Sequence, residues 1–378
     1  MQYGIGLMSG TSLDGIDVAL VSIDNNFCEG TYTLVDFMTV PFEERIIKQI
    51  KQAIDVTTSN VLLICSLNME LGKIFGQAVN MMKDKHQLSG ADIWFVASHG
   101  QTIYHHPINQ GEYVSSTLQI GESSVICEVT ETTVVSDFRY RDMAVGGQGA
   151  PIVPFSEYVL YKSQDKQRIL QNIGGISNAT VIPANGSMDE VVAFDTGPGN
   201  MIIDEFVRRF YQKEYDDKGH YASLGKVDEL VLNDMLNHPF MKKSFPKSTG
   251  REDFGEQYVD ELLSTHHLNS NDWIATATAF TAKAIRKSLD SYVSDDSQTE
   301  FIVGGGGSYN PVLIEMIRKE MPKSVTVMIQ EEIGLSSDAK EAIAMVVLGH
   351  MTMEHKPSNV PSATGANKPV ILGKITNY

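Results

Sequence analysis

The chain has 378 residues, 42% hydrophobic and 20% charged, ordinary composition for a globular protein and long enough for two domains. Its formal net charge of −17 would repel a polyphosphate backbone, and no cluster of Lys and Arg offsets it, which argues against nucleic acid as a partner. Cys28, Cys65 and Cys127 lie far apart with no CxxC pair, so neither zinc nor a redox centre is expected; with no signal-like N-terminus and no apolar run of membrane-spanning length, the expected compartment is the cytoplasm and no membrane partner is expected.

In chain order, YGIGLM and IDVALVSI read as two strands joined by a Gly- and Ser-rich turn, with a third strand at Tyr32 to Val40. Beyond Pro41 the period changes, and Ile64, Leu67, Leu71, Ile74, Phe75 and Ala78 fall on one face of a helix that should pack on the sheet. IWFVASHGQT returns to strand character, and LQIGE, an apolar stretch around Val125 to Val129, and TTVVSDF complete an α/β unit. The opening pattern then recurs from Arg168: RILQNI, GGISN and ATVIP repeat strand, Gly-rich turn and strand. VVAFDTGPGN supplies the next strand, and Met201 to Tyr211 a helix. Trp273, Ala277, Phe280 and Ala284 mark one face of a later helix, after which FIVGGGGSYN, Pro311 to Glu320 and SVTVMI follow in α/β order. The halves read as copies of one plan, a domain over 1–135 and a second over 136–350. A tail over 351–378 returns to the first and ends in a strand at VILGKI.

Several segments ask for chemistry. In GTSLDGID, Gly10 and Gly15 permit conformations barred to other residues, Thr11 and Ser12 offer hydroxyls and N–H groups, and Asp14 and Asp17 suit a hydrated cation. Such a hairpin can wrap a triphosphate, although a plain polar turn has the same composition. Gly4 and Gly6 imitate a dinucleotide fingerprint, but a turn and a second strand follow where that motif needs a helix. No Walker-type GxxxxGK[ST] loop is present. SHGQT, ending a strand at Thr102, puts His99 where α/β sheets place ligands; a solvated or hydrogen-bonded histidine is the alternative. DFRYRDMAVGGQGAP packs two arginines and three glycines into one loop. Arg139 and Arg141 there suit a carboxylate, or the loop is a salt-bridged interdomain connector. In FDTGPGN, Asp195 follows an apolar strand and precedes a Gly-Pro-Gly turn, the place for a base acting on a hydroxyl or water; helix capping is its alternative role. The four glycines of FIVGGGGSYN offer bare backbone to a flat purine and its ribose.

GTSLDGID, SHGQT, FRxRDxAxGGQGAP, NIGGISN, FDTGPGN, KSTGRE and GGGGxxN, in this order across nearly the whole chain, resemble the anhydro-N-acetylmuramic acid kinase family. The resemblance implies an α/β fold of two actin-like (ribonuclease H-like) domains flanking a central cleft. It also implies hydrolytic opening of the 1,6-anhydro bond of anhydro-N-acetylmuramic acid with phosphorylation of O6, giving N-acetylmuramic acid 6-phosphate in cell-wall recycling. ATP and Mg²⁺ are the implied cofactors and a small sugar the partner; a homodimer is compatible with the family. By position, Gly10, Thr11, Ser12, Leu13, Asp14, Gly15, Ile16 and Asp17 would hold the ATP phosphates, and Gly304, Gly305, Gly306 and Gly307 would lie along the adenosine. Asp195 would activate the attacking water. Glu341, in the first turns of a helix entered at Ser336 or Ser337, would join His99 and Thr102 at the sugar, with Arg139 and Arg141 on its lactyl carboxylate. A conventional sugar or acetate kinase, a sugar-independent nucleotide switch and an ATP-independent hydrolase are the rival readings.

Overall fold

The computed structural model describes every residue except Met1, Thr11, Ser12, Asp14, 25–30, Gln110, 244–246, Ser248, 295–297 and 334–337. Its strands are β1 (Gln2–Ser9), β2 (Gly15–Asp24), β3 (Thr31–Pro41), β4 (Ile93–His106), β5 (Ser116–Ile120), β6 (Val134–Ser136), β7 (Gln167–Ile173), β8 (Ile176–Ile182), β9 (Val192–Pro198), β10 (Thr299–Gly304), β11 (Val325–Ile329) and β12 (Lys374–Thr376). The helices used below are α1 (Val61–Lys85), α2 (Met201–Tyr211), α3 (Ser270–Ser288), α4 (Pro311–Glu320) and α5 (Lys340–Met353). Two compact units result, residues 1–160 with 338–378, and residues 161–337.

In the first unit the sheet order is β12-β6-β4-β1-β2-β3, with β5 paired to β4. β1, β2 and β3 form an antiparallel meander, while β4 lies parallel to β1 and β6 parallel to β4. The run IDVALVSI is continuously apolar because β2 is buried on both faces. Ile16, Val18 and Leu20 pack with Leu67, Leu71 and Phe75 of α1, while Ala19, Val21 and Ile23 pack with Ala342, Met345 and Val346 of α5. Gly4 and Gly6, the false dinucleotide fingerprint, are where α5 presses against β1. A Cβ on Gly6 would sit 1.9 Å from the Ala342 carbonyl oxygen. Gly6→Ala should therefore lose about 3 kcal/mol of stability through backbone overpacking, read as a lower denaturant midpoint; an unchanged midpoint would mean α5 does not approach this closely.

In the second unit the order is β11-β10-β7-β8-β9. β7, β8 and β9 again form a meander and β10 and β11 are parallel additions. Leaving out β5 and β12, both sheets follow one plan, three meandering strands and two parallel ones beside the first, which is the ribonuclease H-like arrangement. α3 exceeds its expected single apolar face: every residue from Trp273 to Ala282 is buried, because the helix is packed by β9 on one side and by α2 and α4 on others. Alanines and threonines around it make that close approach feasible.

Two expectations change. The unit borders fall at 160/161 and 337/338 rather than at 135/136 and 350/351, since Phe138 and Ile152 join the core that α5 shares with the first sheet. The last strand is confined to β12, which pairs with β6, while Val370 and Leu372 before it are buried core residues. α5 begins at Lys340; Ser336 and Ser337, expected to open it, lie outside the described residues.

Candidate active site

In the second unit β7 and β10 are parallel, and β9 runs with them because two antiparallel pairings separate it from β7. Their C-terminal ends share one edge, where α/β sheets place ligands. Glycine turns gather there after β7, at the end of β9 and after β10. The first two are laced by backbone: Gly199 N–H donates to Gly175 O at 2.9 Å and Asn200 N–H to Gly174 O at 2.8 Å. Some of these glycines have internal reasons. Gly199 would carry a Cβ 2.2 Å from Gly174 O, and Gly305 combines φ +80° with Asn172 Oδ1 at 2.5 Å from a built Cβ. Gly174, Gly175 and Gly306 have none, since the nearest atoms to a Cβ there are 3.5, 3.8 and 3.7 Å away. Among the described residues nothing demands glycine at these three positions, whereas bare backbone suits a flat or phosphorylated ligand. Gly306 also borders a pocket of about 530 Å³ lined by Asn200, Ile203, Asp204 and Tyr309 among others, within the size range of small-molecule sites.

Asp195 lies in β9, opposite Asn178 of β8 beside a register irregularity. Its capping alternative does not hold: α2 starts at Met201 with Asn200 as its N-cap, and Asp195 Oδ2 instead accepts from Thr249 N–H at 2.9 Å. Asp195 N–H in turn donates to Lys247 O at 3.2 Å. The KSTGRE segment, quoted above without a role, thus clasps the aspartate. Lys247 is buried, donates to Ser288 Oγ at 2.8 Å and sits 4.6 Å over the Phe240 ring. Burial raises the Asp195 pKa, partly opposed by the Thr249 N–H and the Lys247 charge. The result is a fixed carboxylate more basic than a solvated one, as a proton acceptor requires.

In the first unit the β1–β2 hairpin is pinned by Ser9 Oγ, which donates to Gln101 Oε1 of β4 at 2.6 Å. Gly15 is tightly packed, with Val40 O 2.4 Å from a built Cβ, and Leu13 has φ +59° and is buried. Gly10 precedes them and Ile16 is fully buried in β2. Thr11, Ser12 and Asp14 fall outside the described residues. Asp17 accepts from Thr39 Oγ1 at 2.6 Å.

Arg139 ties the candidate sugar residues together. Its Nε donates to His99 Nε2 at 3.0 Å and its Nη1 to Gly149 O at 2.7 Å, so the His99 proton resides on Nδ1, 2.9 Å from Gly100 O. His99 is therefore a buried hydrogen-bonded ring. Burial first, then the Arg139 charge, push its pKa down to about 3. Glu341 is raised chiefly by burial; the Asp17 carboxylate adds to the rise, and Lys340 and Arg139 oppose it. Asp17, His99, Arg139 and Glu341 thus form one electrostatic group. Thr102 stands apart, accepting from Gln119 Nε2 at 3.4 Å, and Arg141 is exposed. The loop around them is ordered by buried Asp142, which accepts from Gly149 N–H at 2.9 Å and from Asn359 Nδ2 and Thr364 Oγ1 at 2.8 Å. All these partners belong to the first unit, so hydrogen bonds within that unit order the loop, and among the described residues Asp142 makes no salt bridge.

The His99 shift carries a pH prediction. Its folded pKa lies below the unfolded value near 6.5, so only the unfolded chain takes up a proton between about pH 6.5 and 3. Stability is unaffected above that window and falls as pH drops through it, by up to about 1.4 kcal/mol per pH unit. Denaturant unfolding at pH 7 and pH 5 should show a smaller loss in His99→Gln than in the parent; equal losses would place the ring in solvent.

A fixed carboxylate beside open glycine turns at the strand ends of a ribonuclease H-like sheet is the equipment of a phosphotransferase. The sequence profile of anhydro-N-acetylmuramic acid kinase matches residues 2–378. Anhydro-N-acetylmuramic acid kinase of Bacillus cereus (strain Q1) is 51% identical over 378 residues, covering 99% of each chain; that of Bacillus thuringiensis subsp. konkukian (strain 97-27) is 51% identical over 381 residues with the same coverage. The chain belongs to the anhydro-N-acetylmuramic acid kinase family. Among solved structures it shows a distant likeness to component A of the Acidaminococcus fermentans (R)-2-hydroxyglutaryl-CoA dehydratase, with TM-score 0.45 and 11% identity over 92% of this chain and 97% of that one.

Proposed function

We propose that the chain is a cytoplasmic ATP-dependent kinase that opens 1,6-anhydro-N-acetylmuramic acid with water and phosphorylates the released O6, giving N-acetylmuramic acid 6-phosphate and ADP in cell-wall recycling. Family membership supports the reaction, and the observation that carries the mechanism is Asp195, held by Thr249 in the same unit as the open glycine turns. The anhydrosugar has no free O6, so the ring must open as phosphate is transferred. Asp195 accepts a proton from water as its oxygen bonds to the anomeric carbon. The C1–O6 bond breaks, O6 takes the γ-phosphoryl group, and ADP leaves; Asp195 then returns its proton to solvent. Phosphoryl transfer asks the protein mainly to align and neutralise.

Gly174, Gly175 and Gly306 offer the backbone along which the nucleotide lies in this reading. In this reading the first unit contributes the Gly10 to Asp17 hairpin to the phosphates and Glu341 and Thr102 to the sugar, while His99, its two ring nitrogens engaged by Arg139 and Gly100 O, orients Arg139. Arg139 keeps Nη2 without a hydrogen-bond partner among the described residues, and with Arg141 it meets the lactyl carboxylate. Mg²⁺, bound chiefly through ATP phosphates and water, would offset the charge of transfer, and Asp17 is a hard oxygen donor suited to its hydration shell. ADP release with Mg-ATP should require the anhydrosugar; turnover with free N-acetylmuramic acid or acetate instead would make this a conventional kinase, and sugar-independent turnover a nucleotide switch.

A further inference from the structure

The pocket beside Gly306 is lined by three acidic groups that the proposed mechanism does not use, Asp204, Asp216 and Asp217. α2 carries two adjacent acids. Glu205 is fully engaged, accepting from Arg208 Nη2 at 2.7 Å and Arg209 Nε at 2.6 Å. Asp204, its neighbour in the helix, lines the pocket with Asn200, Ile203, Tyr309 and Gly306. Asn200 and Asp204 are four residues apart, so one helical face presents both. The Asp204 carboxyl has no hydrogen-bond partner among the described residues. Its neighbour Asp216 is occupied, accepting from Tyr221 N–H at 2.8 Å and Ala222 N–H at 3.0 Å.

We propose that Asp204 recognises the base of the nucleotide, its carboxyl O–H and C=O pairing with the ring nitrogen and the neighbouring amino group on one edge of adenine. The inference rests on the kinase reading above and adds a specificity residue to it. A neutral carboxylic acid presents one donor and one acceptor side by side, as an amide does, and side-chain amides pair bidentately with an adenine edge for that reason. An ionised carboxylate presents acceptors only, which mismatches adenine's ring nitrogen and suits the adjacent N–H groups of guanine. Burial pushes Asp204 up to about 7; Arg208 on the same helix opposes the shift and Asp216 adds to it. Asp217, Lys218 and the hydroxyls of Tyr215 and Tyr309 are the other titratable groups lining the pocket. Asp204 therefore changes state near neutral pH, and base preference should change with it.

The test is calorimetric titration of the full chain with Mg-ADP and Mg-GDP between pH 6 and 8.5, alongside sugar-dependent turnover with ATP. The ratio of ADP to GDP affinity should fall about tenfold as pH rises, following the loss of the carboxyl proton. Asp204→Asn should flatten that profile, and Asp204→Ala should lower the ratio at pH 6 and also remove its pH dependence. A ratio independent of pH and untouched by either substitution, in protein that still phosphorylates the sugar, overturns the inference and leaves the kinase reading standing. Asp204-dependent selectivity without sugar phosphorylation would do the reverse, and failure to bind any nucleotide would overturn both.

Discussion

Asp195→Asn should lower sugar-dependent ADP release by about 10³-fold, the scale of losing a positioned general base, while the protein stays folded. An asparagine carbonyl can still accept the Thr249 N–H that the carboxylate accepts at 2.9 Å, so the clasp survives and only proton acceptance is lost. Circular dichroism and denaturant midpoint should match the parent closely, and ADP affinity should change little because Asp195 is not assigned to the nucleotide. If Asp195→Asn retained turnover within a few-fold of the parent, the base would have to be another residue.

The second large effect separates two glycines that adjoin in sequence. Gly306→Val should weaken ATP binding more than tenfold while unfolding free energy stays within about 1 kcal/mol, since a Cβ there has only Asn200 Nδ2 nearby, at 3.7 Å. Gly305→Ala should behave in the opposite sense. Its φ of +80° and the Asn172 oxygen 2.5 Å from a built Cβ should cost about 2 to 3 kcal/mol of stability. Calorimetric ATP titration and denaturant unfolding on the same two proteins read both effects. Equal loss of stability in both would mean that Gly306 is also a packing glycine, and intact ATP affinity in Gly306→Val would move the nucleotide away from this turn.

Much of the scaffold was legible because local pattern and burial agree. The two strand-turn-strand openings, the helix at Met201 to Tyr211 and the α/β order after Phe301 all appear where apolar periodicity put them. The borders of the units were not legible. Phe138 and Ile152 reach the first unit's core through contacts distant in sequence, and composition along the chain does not change where the units divide. Gly4 and Gly6 show the same limit from the other side, since what they accommodate is α5, more than 300 residues later.

Within the candidate site, Asp195 announced itself by standing between an apolar strand and a Gly-Pro-Gly turn. Thr249 and Lys247 did not, because their link to Asp195 spans some 50 residues of chain and uses backbone groups that every residue carries. Arg139 was found, but its His99 bond was not, and that bond is what turns two separate candidates into one group. Asp204 was missed for a simpler reason. An Asp-Glu pair in an amphipathic helix reads as two solvent-facing charges, and only the folded chain shows that Glu205 pairs with both arginines while Asp204 lines a pocket.

The central claim is that one site opens the anhydro ring with water and phosphorylates the oxygen thereby released. It is tested most directly by running the reaction in ¹⁸O-labelled water and taking the mass spectrum of the sugar product at early times. One ¹⁸O bonded to the anomeric carbon and one unlabelled phosphate ester at O6, formed together with one ADP, is the predicted result. Label in inorganic phosphate with the anhydrosugar left intact would contradict the account, because water would then be attacking ATP and not the sugar.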